Sequence, residues 1–343
     1  MIAKERLRLW VDAAAAGAGL LAPLRARARR GATLLMYHRI LPREAIGDYF
    51  EGLAIEPETL EAQARWLARE CEVVVAREAA RRLAAGDTGG SRPVVAVTFD
   101  DGYRDNFQQA AMILERHGLR GTFFVSTDFA PGGGILWCDA AARAWREDRQ
   151  SCRLALAEAT GSPADDGAVA TLDAWMGRLK RLGHARRNAV VAALGPREPD
   201  DFEAPMDAMM LRSLHARGHE VASHTCSHPM MPELDDEALD AECVRSRSVL
   251  EELLGAPVEG ICYPNGRADA RVREAAARAG YRYGCTTRPG LNLPGGDAMM
   301  LSRNHASRLA VTDRDGRHHE ASFAAVVFGL HAALRGAWSR FAR

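Results

Sequence analysis

Val94-Val95-Ala96-Val97-Thr98-Phe99 runs directly into Asp100, Asp101 and Gly102. The β-branched, apolar run reads as a strand buried on both faces, as in a parallel sheet. Successive side chains on a strand point to opposite faces, so two adjacent carboxylates do not normally serve one site. At the strand's end, with Gly102 free to turn, the alternation breaks and both can reach one pocket. A carboxylate pair placed there needs a compensating cation. Glu220-Val221-Ala222-Ser223, followed by His224-Thr225-Cys226-Ser227-His228-Pro229, repeats the layout. His-x-x-x-His places two imidazoles on one side of a helical turn, which Pro229 keeps short. Two neutral imidazoles and one carboxylate form a common protein ligand set for catalytic zinc, with one position left to water. Either stretch alone also reads as a plain turn or an incidental histidine pair. Together, with complementary chemistry, they read as one metal site.

Thr98-Phe99-Asp100-Asp101-Gly102 and His224-Thr225-Cys226-Ser227-His228 resemble the first two motifs of the polysaccharide deacetylases, the NodB-homology carbohydrate esterases. Tyr263-Pro264-Asn265-Gly266 resembles their third motif, and Leu301-Ser302-Arg303-Asn304-His305 stands in the place of their last. The resemblance implies an α/β fold, a distorted (β/α) barrel with an inserted helical segment. It also implies metal-dependent hydrolysis of the N-acetyl group of an amino sugar, in a polysaccharide or glycan precursor, with release of acetate. Carried over residue by residue, it makes Asp101, His224 and His228 the ligands of a divalent metal, zinc being the first expectation. Asp100 becomes the general base and His305 the acid that protonates the leaving amine. Tyr263, Pro264, Gly266, Arg303 and His38 border the substrate or the oxyanion, with a backbone N–H near Tyr263 facing the latter. A hydrogen-bonded core histidine is the other reading of His38.

Two departures from the family pattern matter. Many members open the third motif with an Arg that contacts the catalytic carboxylate; Tyr263 is read at that position here, leaving Arg267 or Arg303 to supply the cation. The Leu-His-Asp setting of the terminal histidine is also missing. Two other functions stand beside the deacetylase: a metal-dependent amidohydrolase acting on a non-carbohydrate C–N substrate, and a non-catalytic sugar-binding homologue.

The elements that must position these residues follow in order. Thr33 to Tyr37 is a first buried strand ending at His38. A helix over 57–70 starts with proline and carries Leu60, Ala64 and Leu67 on one face. Asp105 to His117 is a helix stopped by Gly118, and Gly121 to Ser126 a strand, so the rhythm is that of a right-handed βαβ crossover. Residues 131–205 break the rhythm with helical stretches near 138–160 and 168–194, an insertion within a catalytic domain spanning 31–310. Trp137, Trp145 and Trp175 in this insertion suit helix packing better than stacking on sugars. His215 and His219 sit too far from His224 to join it, His219 about 16 Å away along an extended strand. Every candidate group therefore falls at a C-terminal strand end, the functional face of (β/α) barrels.

With 343 residues, 47% hydrophobic and 26% charged, the chain has the make-up of an ordinary globular protein. Its formal net charge of zero offers nucleic acid no field. Seven cysteines, odd in number and without a Cys-x-x-Cys, suit reduced thiols in a cytoplasmic setting. Thr225 and Ser227 read as braces of the histidine turn, and Cys226 as a bystander. Residues 1–30 form a basic amphipathic segment, and 311–343 a C-terminal amphipathic helix. Two such ends suit peripheral attachment to the inner face of a membrane, with an ordinary surface helix as the alternative. The substrate expected there is a lipid-linked or nucleotide-linked sugar.

Overall fold

The computed structural model describes residues 12, 19, 21–47, 52–88, 90–161, 169–195, 200–313 and 317–330. Seven parallel strands make the barrel: β1 Ala32–Tyr37, β2 Val94–Phe99, β3 Thr122–Val125, β4 Glu220–Ser223, β5 Gly260–Cys262, β6 Tyr283–Cys285 and β7 Arg303–His305. Their spatial order is β7-β1-β2-β3-β4-β5-β6. The gap between β6 and β7 is closed just before β7, where Leu301 bridges Cys285 and the Leu301 N–H donates to Gly284 O at 2.8 Å. A short strand, Glu72–Val74, pairs with β2 outside this ring. All residues of β1 to β6 are buried, as expected of parallel strands covered on both faces. The structure is thus the expected distorted (β/α) barrel.

Register decides which side chains share a level. Met36 lies beside both Thr98 and His305, and Leu34 beside both Ala96 and Arg303. Residues two apart on a strand face the same way, so Arg303 and His305 rise from β7 on one side. Arg303 starts one level lower and is buried.

The insertion folds as four helices, Trp137–Glu147, Arg149–Thr160, Leu172–Leu179 and His184–Ala193. They enclose a satellite core in which Trp145 and Trp175 stack at 5.9 Å, the packing role expected of these two. A buried polar seam fastens the first of these helices to the barrel. Tyr103 Oη donates to Asp139 Oδ2 at 2.7 Å, and the Arg39 guanidinium lies 3.8 Å over the Tyr103 ring while its Nε donates to Asp105.

Of the two terminal segments, most of 1–20 and all of 331–343 lie outside the described residues. The described C-terminal helix, Glu320–Val327, packs into the fold: Thr33 Oγ1 donates to Val327 O, and Phe323 and Phe328 meet Trp66 edge-on or tilted. Val326, Val327, Phe328 and Leu330, within the segment read from sequence as an amphipathic helix, are buried there. No described helix is long and apolar enough to cross a membrane.

Candidate active site

The first motif leaves β2 through a sharp turn. Asp100 N–H still donates to Tyr37 O at 3.0 Å, continuing the ladder with β1. Asp101 then adopts φ 79° and Gly102 φ 103°, so the strand alternation is broken at both residues. A Cβ on Gly102 would lie 3.1 Å from Ala130 Cβ and Val125 Cγ1, a tight contact, and its positive φ disfavours any side chain there. The result is two buried carboxylates on one side of the chain end.

The second motif leaves β4 as an irregular loop, which corrects the expected helical turn. Thr225 has φ 68° and His228 φ 55°, both left-handed, and no helix forms between them. The two imidazoles nevertheless converge, their ring centroids 4.9 Å apart. His224 Nδ1 meets Cys262 O at 2.7 Å; a carbonyl only accepts, so Nδ1 carries the proton and Nε2 presents a lone pair. His224 Nε2 lies 3.4 Å and His228 Nε2 3.5 Å from Asp101 Oδ1. These separations are long for hydrogen bonds. They match the distance of about 3.4 Å between neighbouring ligands of a tetrahedral ion with bonds near 2.1 Å. Two imidazole nitrogens and a carboxylate oxygen also have the chemistry of a zinc site, so the residues present fit a dication.

Charge in the cluster is arranged around Arg303. Its Nη1 donates to Asp100 Oδ1 at 2.6 Å and its Nη2 to Asp100 Oδ2 at 2.7 Å, a bidentate pair fully shut from solvent. Nε donates to Thr286 O and Nη1 also to Thr98 Oγ1, which fixes the plane of the guanidinium. Arg267, the other sequence candidate, points to Glu233 and Met230 from a largely exposed position. Burial alone would push the Asp100 carboxyl up, but Arg303 outweighs it and holds the pKa below the usual carboxylate range. Asp101 is lowered likewise, burial being overcome by the neighbouring imidazoles of His224 and His228. His224 is raised: burial opposes the charge, but Asp101 and Asp100 favour it more. His228 is pushed down to about 4 by burial and by His224.

The remaining sequence candidates fall around this centre. His38 Nε2 is 3.8 Å from Asp100 Oδ2, and its ring is edge-on to His305 at 5.7 Å. Burial, then His38 and Arg303, hold His305 near 3, so it is a neutral imidazole at neutral pH. Tyr263 Oη donates to Met299 O, and its backbone N–H donates to Cys285 O at 3.0 Å as part of the sheet. The Tyr263 amide itself is thus engaged in the ladder, leaving the oxyanion role expected near Tyr263 to a neighbouring backbone N–H. Pro264 follows it, and Gly266, at φ 66°, sits where any Cβ would strike Thr287. Motif reading passed over Cys262, whose carbonyl orients His224 and whose Sγ lies 2.9 Å from Arg303 Nη2. Its signal was positional: it is the last residue of β5, directly before Tyr263-Pro264. Cys226 belongs to neither cluster of metal-ligating groups among the described residues.

A model of the polysaccharide deacetylase family matches residues 87–161 and 165–284, more than half of the sequence. The chain belongs to that family. The Bacillus subtilis protein YxkH, named for the same family, is 21% identical over 257 residues, covering 75% of this chain and 64% of its own length. The chain thus spans less than two thirds of that relative. The Streptococcus pyogenes deacetylase PplD, solved with acetate, superposes with TM-score 0.54 at 20% identity, over 80% of this family member and 92% of PplD. IcaB from Ammonifex degensii gives TM-score 0.54 at 20% identity, over 86% and 97% of the two chains. At such identities these likenesses establish the fold alone.

Proposed function

We propose that this chain is a metal-dependent deacetylase that hydrolyses the N-acetyl group of an amino sugar in a polysaccharide or glycan precursor. Water adds to the acetyl carbon, the C–N bond breaks, and acetate and a free amine leave. The observation that carries the reading is the set of ligand atoms on Asp101, His224 and His228, spaced as the edges of a tetrahedral site beside an unligated carboxylate. A dication held there supplies Lewis acidity, lowering the pKa of a water toward about 7 and polarising the acyl carbonyl.

The chain's own groups do the rest. Asp100 takes the proton of the attacking water. Arg303 favours its ionised form and fixes its orientation, so the carboxylate is held ready to accept. The amine must gain a proton as it leaves, and His305 is the donor in this reading. Because His305 rests neutral, its proton comes from within the site: in this reading Asp100 passes it on through His38, which neighbours both.

The test is acetate release from N-acetylglucosamine oligomers by the full chain, stripped with a chelator and then reloaded with zinc. Activity should vanish and return. Asp100→Asn should keep one metal ion per chain and lose turnover, whereas Asp101→Ala, His224→Ala and His228→Ala should lose the ion. Hydrolysis of simple amides but of no sugar would turn the assignment to the amidohydrolase. Bound metal with hydrolysis of neither would turn it to a binding homologue.

A further inference from the structure

The loop carrying the two ligand histidines is held in a conformation it would not choose. Thr225 and His228 both sit in the left-handed region, and the β-branched Thr225 occupies it only when its surroundings impose it. The loop's polar backbone groups show what does the imposing. Its carbonyls are met by the chain after β3: Thr127 N–H donates to Thr225 O and Asp128 N–H to Cys226 O, each at 3.0 Å. Trp137 Nε1, from the insertion, donates to His228 O at 3.1 Å.

The amide side converges on one carboxylate. Glu242 Oε2 accepts from Cys226 N at 2.7 Å and from Ser227 N at 3.1 Å, and Oε1 accepts from Ser227 Oγ at 2.5 Å. Glu242 belongs to the long helix Asp236–Leu254, far from the ligands in sequence. One turn further along that helix, Ser246 Oγ accepts from Ser223 Oγ at 2.9 Å, and Ser223 Oγ in turn accepts from Thr225 N at 3.0 Å. The same helix face thus fixes both ends of the bend from which His224 and His228 project. Thr225 Oγ1 itself is buried without a hydrogen-bond partner among the described residues, so its backbone does the bracing.

We infer that Glu242 is a positioning residue for the metal: its three accepted hydrogen bonds set the loop so that both imidazole Nε2 atoms face Asp101. This rests on the metal-dependent reading above. Glu242 touches no ligand atom and acts through the backbone between the two histidines. Outer groups of this kind typically change metal affinity 10- to 100-fold when removed.

The test is zinc affinity of the full chain, by competition with a chromophoric chelator, alongside the melting temperature of the metal-free protein. Glu242→Ala should weaken zinc about 10- to 100-fold. Glu242→Gln keeps an oxygen for the two amides and an NH₂ for the Ser227 hydroxyl, so it should stay within about threefold of the parent chain. An affinity unchanged in Glu242→Ala, or lost equally in the Gln and Ala variants, would overturn the assignment; the second result would mean that charge and not hydrogen bonding matters. Should Glu242→Ala fail to fold, Ser227→Ala carries the test, with an expected weakening of about fivefold for one hydrogen bond; no weakening there overturns the inference. Parent chain that binds no zinc would sink the metal-dependent reading itself, whereas parent chain that binds zinc as tightly as Glu242→Ala sinks only the role of Glu242.

Discussion

Arg303 grips both oxygens of Asp100 from a strand that enters the barrel 203 residues later. Its guanidinium rises one level from below, past Thr98, so the carboxylate is compensated from beneath while its outer side faces His38. Lysine has a point charge and no fork, so Arg303→Lys should lower kcat about 10- to 100-fold with zinc retained. The acidic limb of the pH profile should move to higher pH, because Asp100 keeps its burial and exchanges the bidentate hydrogen bonds of the guanidinium for a single point charge. A limb that stays in place would contradict this account. Arg303→Ala leaves a buried charge unpaired and should cost about 3–5 kcal/mol of stability, read by denaturant unfolding.

His38 and His305 share the flank of Asp100, and the proposed proton route uses both. Each single alanine variant should lower kcat at least about 100-fold while binding zinc normally. A His38 variant within a few-fold of the parent chain, beside a crippled His305 variant, would remove the relay and leave His305 as a donor charged from solvent.

Zinc must displace a proton from His224, whose pKa is raised, but not from His228, held near 4. Below the His224 pKa the proton occupies the ligand nitrogen, so affinity should fall about tenfold for each pH unit and level off above it. Chelator competition between pH 5.5 and 8 measures the slope. A slope of two protons per ion would require His228 to titrate as well.

Asp139 is a buried carboxyl with one oxygen bound by Tyr103, and burial raises its pKa from 3.8 to about 7 despite Arg39. A raised carboxyl favours the folded state while protonated in both states, below about pH 4, and that contribution is lost as pH climbs through 7. Asp139→Asn keeps an acceptor for Tyr103 and has nothing to titrate. The Tm of the variant should therefore gain on the parent chain steadily between pH 4 and 7, by on the order of 2–4 kcal/mol in stability. A pH-independent difference would refute the shift.

Much of the barrel was legible because its signals are local. An apolar, β-branched run such as Val94 to Val97 is buried wherever it lies, and the carboxylates after it mark a strand end. The cation facing Asp100 was not legible, since Arg267 and Arg303 are equal as letters and only β7 pairing with β1 brings one of them inside. The shape of the His224–His228 loop was misread as helical for a related reason. Spacing shows what a helix would do, whereas the deciding contacts come from Glu242, Thr127 and Trp137, none of them nearby in sequence. Trp137 differs from its two companions: Trp145 and Trp175 fill the satellite core, while Trp137 reaches the histidine loop.

The closing strand also bears on synthesis. A growing polypeptide that has emerged only through β6 holds Asp100, Asp101, His224 and His228, yet Asp100 has no counter-charge and the ring is still open between its first and last members. On the proposed mechanism, nascent or prematurely ended copies lack the group that keeps Asp100 ionised, and catalytic competence waits until Arg303 has left the ribosome.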